Sequence, residues 1–208
     1  MGFFDDILKK KHKPEEQKSS GQAQTQVLLK EKPKEQTQTQ VQKEEVKKPL
    51  DLTKKIALNF EKLDLHKEDV RKKRLFLLDI SGSMDDKIGE KRKIDHLRDV
   101  MIKYPDAKIL CFSSGISKVS DTQSIPDPGG STNLGRALKY IDGSVVEKPE
   151  RIILVSDGEP DDERDALEQA KNLSLPIDII FIGEKESKGY RFMHQLSSAT
   201  GGQEFQVT

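Results

Sequence analysis

From residue 74 onward, short apolar runs alternate with amphipathic stretches. No other feature of the chain restricts its fold as much. RLFLLDI (74–80), AKILCFSS (107–114), RIILVSD (151–157) and PIDIIFIG (176–183) are near-continuous apolar runs, the pattern of strands buried on both faces. Between the first two, KIDHLRDVMIKY (93–104) sets Ile94, Leu97, Val100 and Met101 on one helical face. LGRALKYI (134–141), DERDALEQAKNL (162–173) and YRFMHQLSSAT (190–200) read as further helices, the last stopped by Gly201-Gly202. ISKVSDTQSI (116–125) is more polar, as an edge strand would be, and QEFQVT closes the chain as a strand. Strands alternating with helices predict a mostly parallel sheet with helices on both faces, a doubly wound α/β fold.

Upstream of this block the pattern is lost. Residues 3–13 read as a short amphipathic helix, with Phe3, Phe4, Ile7 and Leu8 on one face, Asp5 and Asp6 early and four lysines late. The charge order suits the helix dipole, but a helix of roughly ten residues is marginal alone in water. It needs a surface: a partner groove, its own domain or, as the weaker reading, an anionic membrane. Residues 14–51 are rich in Lys, Glu and Gln and too polar to offset their ordering entropy, so a disordered linker is expected. Residues 52–70 alternate apolar and polar around Ile56, Leu58 and Phe60, which suggests a lead-in strand. The domain organisation is therefore a helix over 1–13, a linker over 14–51 and a globular domain over 52–208 with its core at 74–208.

Charge divides the same way. The whole chain of 208 residues balances 36 basic against 36 acidic side chains, but residues 1–74 carry 19 against 13 and residues 75–208 carry 17 against 23. The cationic run Arg71-Lys72-Lys73-Arg74 invites a nucleic-acid reading. It lacks interleaved aromatics and leads into an acidic domain, so a solvated strand entry is expected and no nucleic-acid partner. The one Cys excludes an intramolecular disulfide and a Cys-rich zinc site. His12, His66, His96 and His194 are scattered without ligand spacing. No apolar run approaches the ~18–20 residues of a membrane span, and MGFFDDILKKKHK lacks a secretory pattern. A cytoplasmic location is the expectation. Cys111 falls within a buried strand and reads as a packed thiol, not a reactive one.

In open parallel sheets, ligands bind beyond the carboxyl ends of the strands, where strand order reverses. The first apolar run ends in Asp79-Ile80-Ser81-Gly82-Ser83, and the third in Asp157-Gly158-Glu159. Gly129-Gly130-Ser131-Thr132-Asn133 precedes the helix at 134. These loops offer two carboxylates and several hydroxyls, with glycines that allow close backbone approach. Oxygen donors suit a hard cation, Mg²⁺ ahead of Ca²⁺ or Mn²⁺. With few formal charges around it such an ion stays electrophilic and calls for an outside ligand, such as a carboxylate of another molecule. Glu159, Asp161 and Asp162 follow or flank Pro160 and read as a helix start more than as a second ion site.

These residues resemble the von Willebrand factor A domain. Asp79-Ile80-Ser81-Gly82-Ser83 matches its DxSxS signature, Thr132 in GGSTNLGRAL its isolated threonine, and Asp157 in VSDGEP its second aspartate. Together these make the family's metal-ion-dependent adhesion site, and the resemblance spans about 74–208. It implies a doubly wound sheet with one antiparallel edge strand. It also implies that Ser81, Ser83 and Thr132 bind the ion directly, that Asp79 and Asp157 act largely through water, and that a partner's acidic side chain completes the coordination. IALNFEKLDL ahead of RKKRLFLLDISGSM also resembles the lead-in of bacterial and phage members of the tellurite-resistance type. Such relatives suggest AAA ATPases of the MoxR kind or stress-response complexes as partners.

Metal-dependent protein binding is thus the leading expectation, with an intracellular adaptor role and no enzymatic activity. One alternative is docking driven by the tail, with the domain as scaffold. Another is a Mg²⁺-dependent hydrolase. A haloacid-dehalogenase-type phosphotransferase would need a second Asp where Ser81 stands. No G-x-S-x-G elbow or G-x-x-x-x-G-K-[ST] phosphate loop occurs.

Overall fold

The computed structural model describes residues 51–144 and 148–208. The helix read at 1–13, and the linker up to residue 50, lie outside this range. Six strands form one sheet: β1 (Arg74–Asp79), β4 (Lys108–Phe112), β5 (Ile116–Val119), β6 (Arg151–Ser156), β7 (Ile177–Ile182) and β8 (Glu204–Val207), in the order β5-β4-β1-β6-β7-β8. All neighbours are parallel except β5, which runs antiparallel to β4 at the edge. This is the doubly wound sheet that the alternation of strands and helices predicts, with the antiparallel edge strand that the family resemblance implies. A two-stranded hairpin that the sequence did not reveal, β2 (Lys87–Ile88) and β3 (Lys91–Arg92), turns through Gly89 at φ 67°.

Strand alternation divides the core into two layers. Phe76 and Leu78 of β1, Ile109 and Cys111 of β4, and Ile153 and Val155 of β6 face α1 (Leu52–Lys62) and α3 (Lys93–Met101). Leu75, Leu77, Leu110, Phe112, Ile152 and Leu154 face α4 (Leu134–Ser144), α5 (Glu163–Leu173) and α6 (Lys188–Thr200). β7 is buried along its whole length, which explains why its sequence is apolar without alternation except at Asp178, which accepts from Arg151 at 2.6 Å. Helix ends follow local chemistry. Asp162 caps α5 by accepting from Asp165 N, Ser187 caps α6 by accepting from Tyr190 N, and Gly201 ends α6 at φ 72°.

Two expectations are corrected. Residues 52–70 are not a lead-in strand but α1 and the short α2 (Glu68–Lys72). A strand would bury Ile56, Leu58 and Phe60 together, whereas Ile56 and Phe60 are fully buried and Leu58 is 46% exposed. Leu52, Ile56, Phe60 and Leu63 recur at intervals of three to four and make the buried stripe of a helix. Asp51 starts it by accepting from Thr53 N at 3.4 Å. α1 then packs on α3 and reaches β8, with Phe60 against Phe76 and Tyr104 at ring separations of 5.6 and 5.4 Å.

The cationic run is also not uniformly solvated. Arg71 is 9% exposed. Its guanidinium grips Asp106 with two bonds of 2.7 and 2.9 Å and donates to the Leu65 carbonyl at 2.8 Å. One member of the run is thus a structural clamp between α2 and the turn before β4. Lys72 and Lys73 pair at the surface with Glu68 and Glu150.

Candidate metal centre

The sheet order creates the crevice. From β1 the chain crosses to β4 on one side and later returns to β6 on the other, so the loops after β1 and β6 splay apart at their carboxyl ends. Asp79 ends β1, and its side chain is fully buried. Its Oδ1 accepts from Ser81 N at 2.8 Å and its Oδ2 from Ser156 Oγ at 2.6 Å. Burial pushes Asp79 up to about 6, with nearby Asp157 adding to the rise and the bonds from Ser156 and Ser81 opposing it.

A chain of short contacts runs on from there. Ser81 Oγ lies 3.1 Å from Ser83 Oγ. Ser83 sits in a 3-10 turn over Gly82–Asp85, and its Oγ donates to Asp157 Oδ1 at 2.8 Å. Asp157, immediately after β6, has a side chain with no exposure to solvent. Its second oxygen accepts from Lys93 Nζ at 2.6 Å. Thr132 is 8% exposed and comes in from a third segment. Asp161 holds it on both sides, with Thr132 N donating to Asp161 Oδ1 and Asp161 N to the Thr132 carbonyl, each at 3.0 Å. A methyl group on Gly158 would stand 3.6 Å from both Ser83 Oγ and Thr132 Oγ1, so these two hydroxyls flank the same glycine.

The loops are tied to one another by backbone. Gly82 N donates to the Gly130 carbonyl at 3.0 Å and Gly129 N to the Ile80 carbonyl at 2.8 Å. Gly130 has φ 80°, and a Cβ there would meet Ser114 Oγ at 2.5 Å. The Gly-rich approach to Thr132 is thus set by both conformation and space.

All five residues singled out in the sequence, Asp79, Ser81, Ser83, Thr132 and Asp157, line this crevice. Three further participants escaped sequence reading: Ser156, Asp161 and Lys93. Ser156 adjoins Asp79 because β1 and β6 pair in register, Leu78 opposite Val155, and nothing in a single strand announces its neighbour. By sequence Asp161 belongs to a helix start, a role that Asp162 fills. Lys93 had no signal beyond its place at the head of a helix. Asp85 and Asp86 pair with Arg92 and Lys93 at the rim. His194 lies on the surface against Glu204 at 2.9 Å, and burial pushes the Cys111 thiol up to about 12, where it is inert.

The donor set fits a hard divalent ion. It consists of hydroxyl and carboxylate oxygens, and among the described residues no three His, Cys, Asp or Glu side chains gather as ligands. A cation here would depend on the hydroxyls and meet only two carboxylates.

The fold is a doubly wound α/β sheet with one antiparallel edge strand, as the resemblance to von Willebrand factor A domains implies. No protein-family model matches the sequence, and no curated protein matches it significantly. Among solved structures the chain is similar to the conserved hypothetical protein BatB from Bacteroides thetaiotaomicron, at 16% identity and a TM-score of 0.50, over 64% of this chain and 89% of that one. It is also similar to a von Willebrand factor type A protein from Catenulispora acidiphila, at 14% identity and a TM-score of 0.46, over 65% and 38%. A third similar structure is the manganese-loaded TRAP protein of Plasmodium vivax, at 22% identity and a TM-score of 0.45, over 60% and 62%. The first of these likenesses speaks for the fold. Among the described residues no helix is long and apolar enough to cross a membrane.

Proposed function

We propose that this chain is a protein-binding module that captures an acidic side chain of its partner through a divalent cation, Mg²⁺ being the first choice. The observation that carries this reading is the convergence of Asp79, Ser81, Ser83 and Asp157 in one bonded chain, with the Ser83 and Thr132 hydroxyls flanking Gly158. Ser81, Ser83 and Thr132 would supply neutral oxygens to the ion, and Asp79 and Asp157 its balancing charge. Bound there, the ion supplies Lewis acidity toward a carboxylate. The chain's own residues orient the donors. Ser156 fixes the carboxylate of Asp79, and Asp161 fixes the backbone of Thr132.

A binding role accords with the site's chemistry better than hydrolysis does. Position 81 is a serine, which is no general acid. The hydroxyls of the crevice bond to carboxylates and to each other, while His96 bonds elsewhere, to Thr53 and the Ile88 carbonyl.

Thermal unfolding in EDTA and in millimolar Mg²⁺, Ca²⁺ or Mn²⁺ tests the reading. An ion at ten times its dissociation constant adds about 1.4 kcal/mol to the folded state, or roughly 3–6 °C for a domain of this size. The expected result is a shift in the wild type that is lost in Asp79→Ala. Capture of an acidic partner should likewise be abolished by EDTA. The absence of a shift with every ion would remove the metal from the proposal. Metal-dependent phosphate release would move the assignment to a hydrolase.

A further inference from the structure

We infer that Lys93 is a resident counter-cation of this site, which a divalent ion must displace from Asp157, so that this exchange sets the affinity for metal. The inference rests on the metal-binding reading above and specifies how that site is regulated.

Lys93 is the first residue of α3. Its side chain is 15% exposed, and its ammonium donates to Asp157 Oδ2 at 2.6 Å, to the Ser83 carbonyl at 3.2 Å and to Asp86 Oδ2 at 3.3 Å. Asp86 is a weak anchor, because 70% of its side chain is exposed. Asp157 is the principal one, since it is fully shielded and its other oxygen is taken by Ser83 Oγ. Both oxygens of one candidate carboxylate are therefore engaged, one of them by a full positive charge.

The helix dipole does not favour a cation at this position. The first turn of a helix is its positive end, where Asp and Glu are favoured and Lys is not. No side chain caps α3 at this end. Lys93 instead points its charge across the turn into the crevice, anchored by its own backbone N–H to the Asp86 carbonyl at 2.9 Å. Lys188 likewise opens α6, so what sets Lys93 apart is not its helix position but the buried carboxylate that its ammonium reaches.

Charge counting gives the consequence. Asp79 and Asp157 together carry two negative charges when ionised, and Lys93 offsets one. A divalent ion that displaces Lys93 from Asp157 still meets a like charge nearby in a buried setting, where water screens poorly. It binds less tightly than two carboxylates alone would hold it. With the ion bound, the two carboxylates and the nearby Lys93 sum to one net positive charge, against one net negative charge without it, which favours an anionic partner. Lys93 thus trades metal affinity for carboxylate affinity.

The test is calorimetric titration of Mg²⁺ and Mn²⁺ into the full chain as wild type, Lys93→Gln, Lys93→Arg and Asp79→Ala. Gln keeps a donor and removes the charge. Lys93→Gln is expected to bind Mg²⁺ at least tenfold more tightly than wild type and to melt lower in EDTA, while Lys93→Arg stays within about threefold of wild type. Affinity in Lys93→Gln equal to or weaker than wild type, with both binding, would overturn the role of Lys93 and leave the metal site standing. Binding by neither, with Asp79→Ala indistinguishable from them, would remove the metal site and this inference with it. If Lys93→Gln does not fold, acetylation of Lys93 in the wild type, read by mass spectrometry, decides. Displacement predicts severalfold faster labelling at saturating Mg²⁺ than in EDTA, and equal labelling in a wild type that binds Mg²⁺ rejects it.

Discussion

A buried carboxylate is costly unless something compensates it, and Asp79 is fully buried at the end of β1. Ser81 N and Ser156 Oγ provide two bonds, yet burial still prevails and raises its pKa to about 6. The sign of the effect on stability follows. The folded protein holds this proton more tightly than the unfolded chain does, so below the unfolded value of 3.8 the residue costs nothing. As pH rises through 6 the penalty becomes complete. In EDTA, Asp79→Asn should therefore be more stable than wild type at pH 8 by about 1–3 kcal/mol. That advantage should fade as pH falls from 6 toward 4. Urea melts of the two proteins at several pH values check this, and an advantage independent of pH would mean that Asp79 is compensated more fully than its contacts indicate. The same substitution should abolish any gain from Mg²⁺, because the ion favours the charged form that Asn lacks.

At the level of elements, α1 carries the clearest lesson about periodicity. Three apolar residues at every second position, Ile56, Leu58 and Phe60, fit a strand, but Leu52, Ile56, Phe60 and Leu63 fit a helix equally well. The helix wins because its stripe is longer and Asp51 begins it. Substitution separates the two arrangements. Phe60→Ala removes a fully buried ring and should cost about 3–5 kcal/mol, whereas Leu58→Glu should stay within about 0.5 kcal/mol of wild type. Chemical denaturation of both variants reads the difference, and comparable losses would argue that residues 56–60 sit as a strand. Edge and centre differ in composition, since β5 exposes Ser117 and Lys118 and β7 is buried throughout.

For the whole molecule, the candidate site exists only because the sheet is doubly wound. Its residues come from 79–83, 132 and 157, with Lys93 at the head of α3, and these segments are brought together where strand order reverses beside β1. A ligand that bridges these segments binds the intact fold and not a fragment of it. Mg²⁺ should therefore raise the urea midpoint of global unfolding while leaving the denaturant dependence unchanged. A changed slope or a second transition would show that the ion acts on a locally unfolding part instead.

What the sequence by itself determined is whatever depends on near neighbours along the chain. Apolar runs specified the four inner strands of the sheet, helical stripes specified α3 to α6, and Asp79, Ser81, Ser83, Thr132 and Asp157 stood out because strand ends and glycine-rich loops are local signals. Tertiary structure decided everything that depends on which segments become neighbours. Strand pairing put Ser156 against Asp79, the return of the chain before α5 put Asp161 on Thr132, and packing at the head of α3 brought the ammonium of Lys93 to Asp157. It also turned Arg71 from an apparent member of a solvated basic run into a buried clamp on Asp106. The physical reason is the same each time: backbone preference and hydrophobic period act over a few residues, whereas a charge finds its partner only after the sheet has closed the distance.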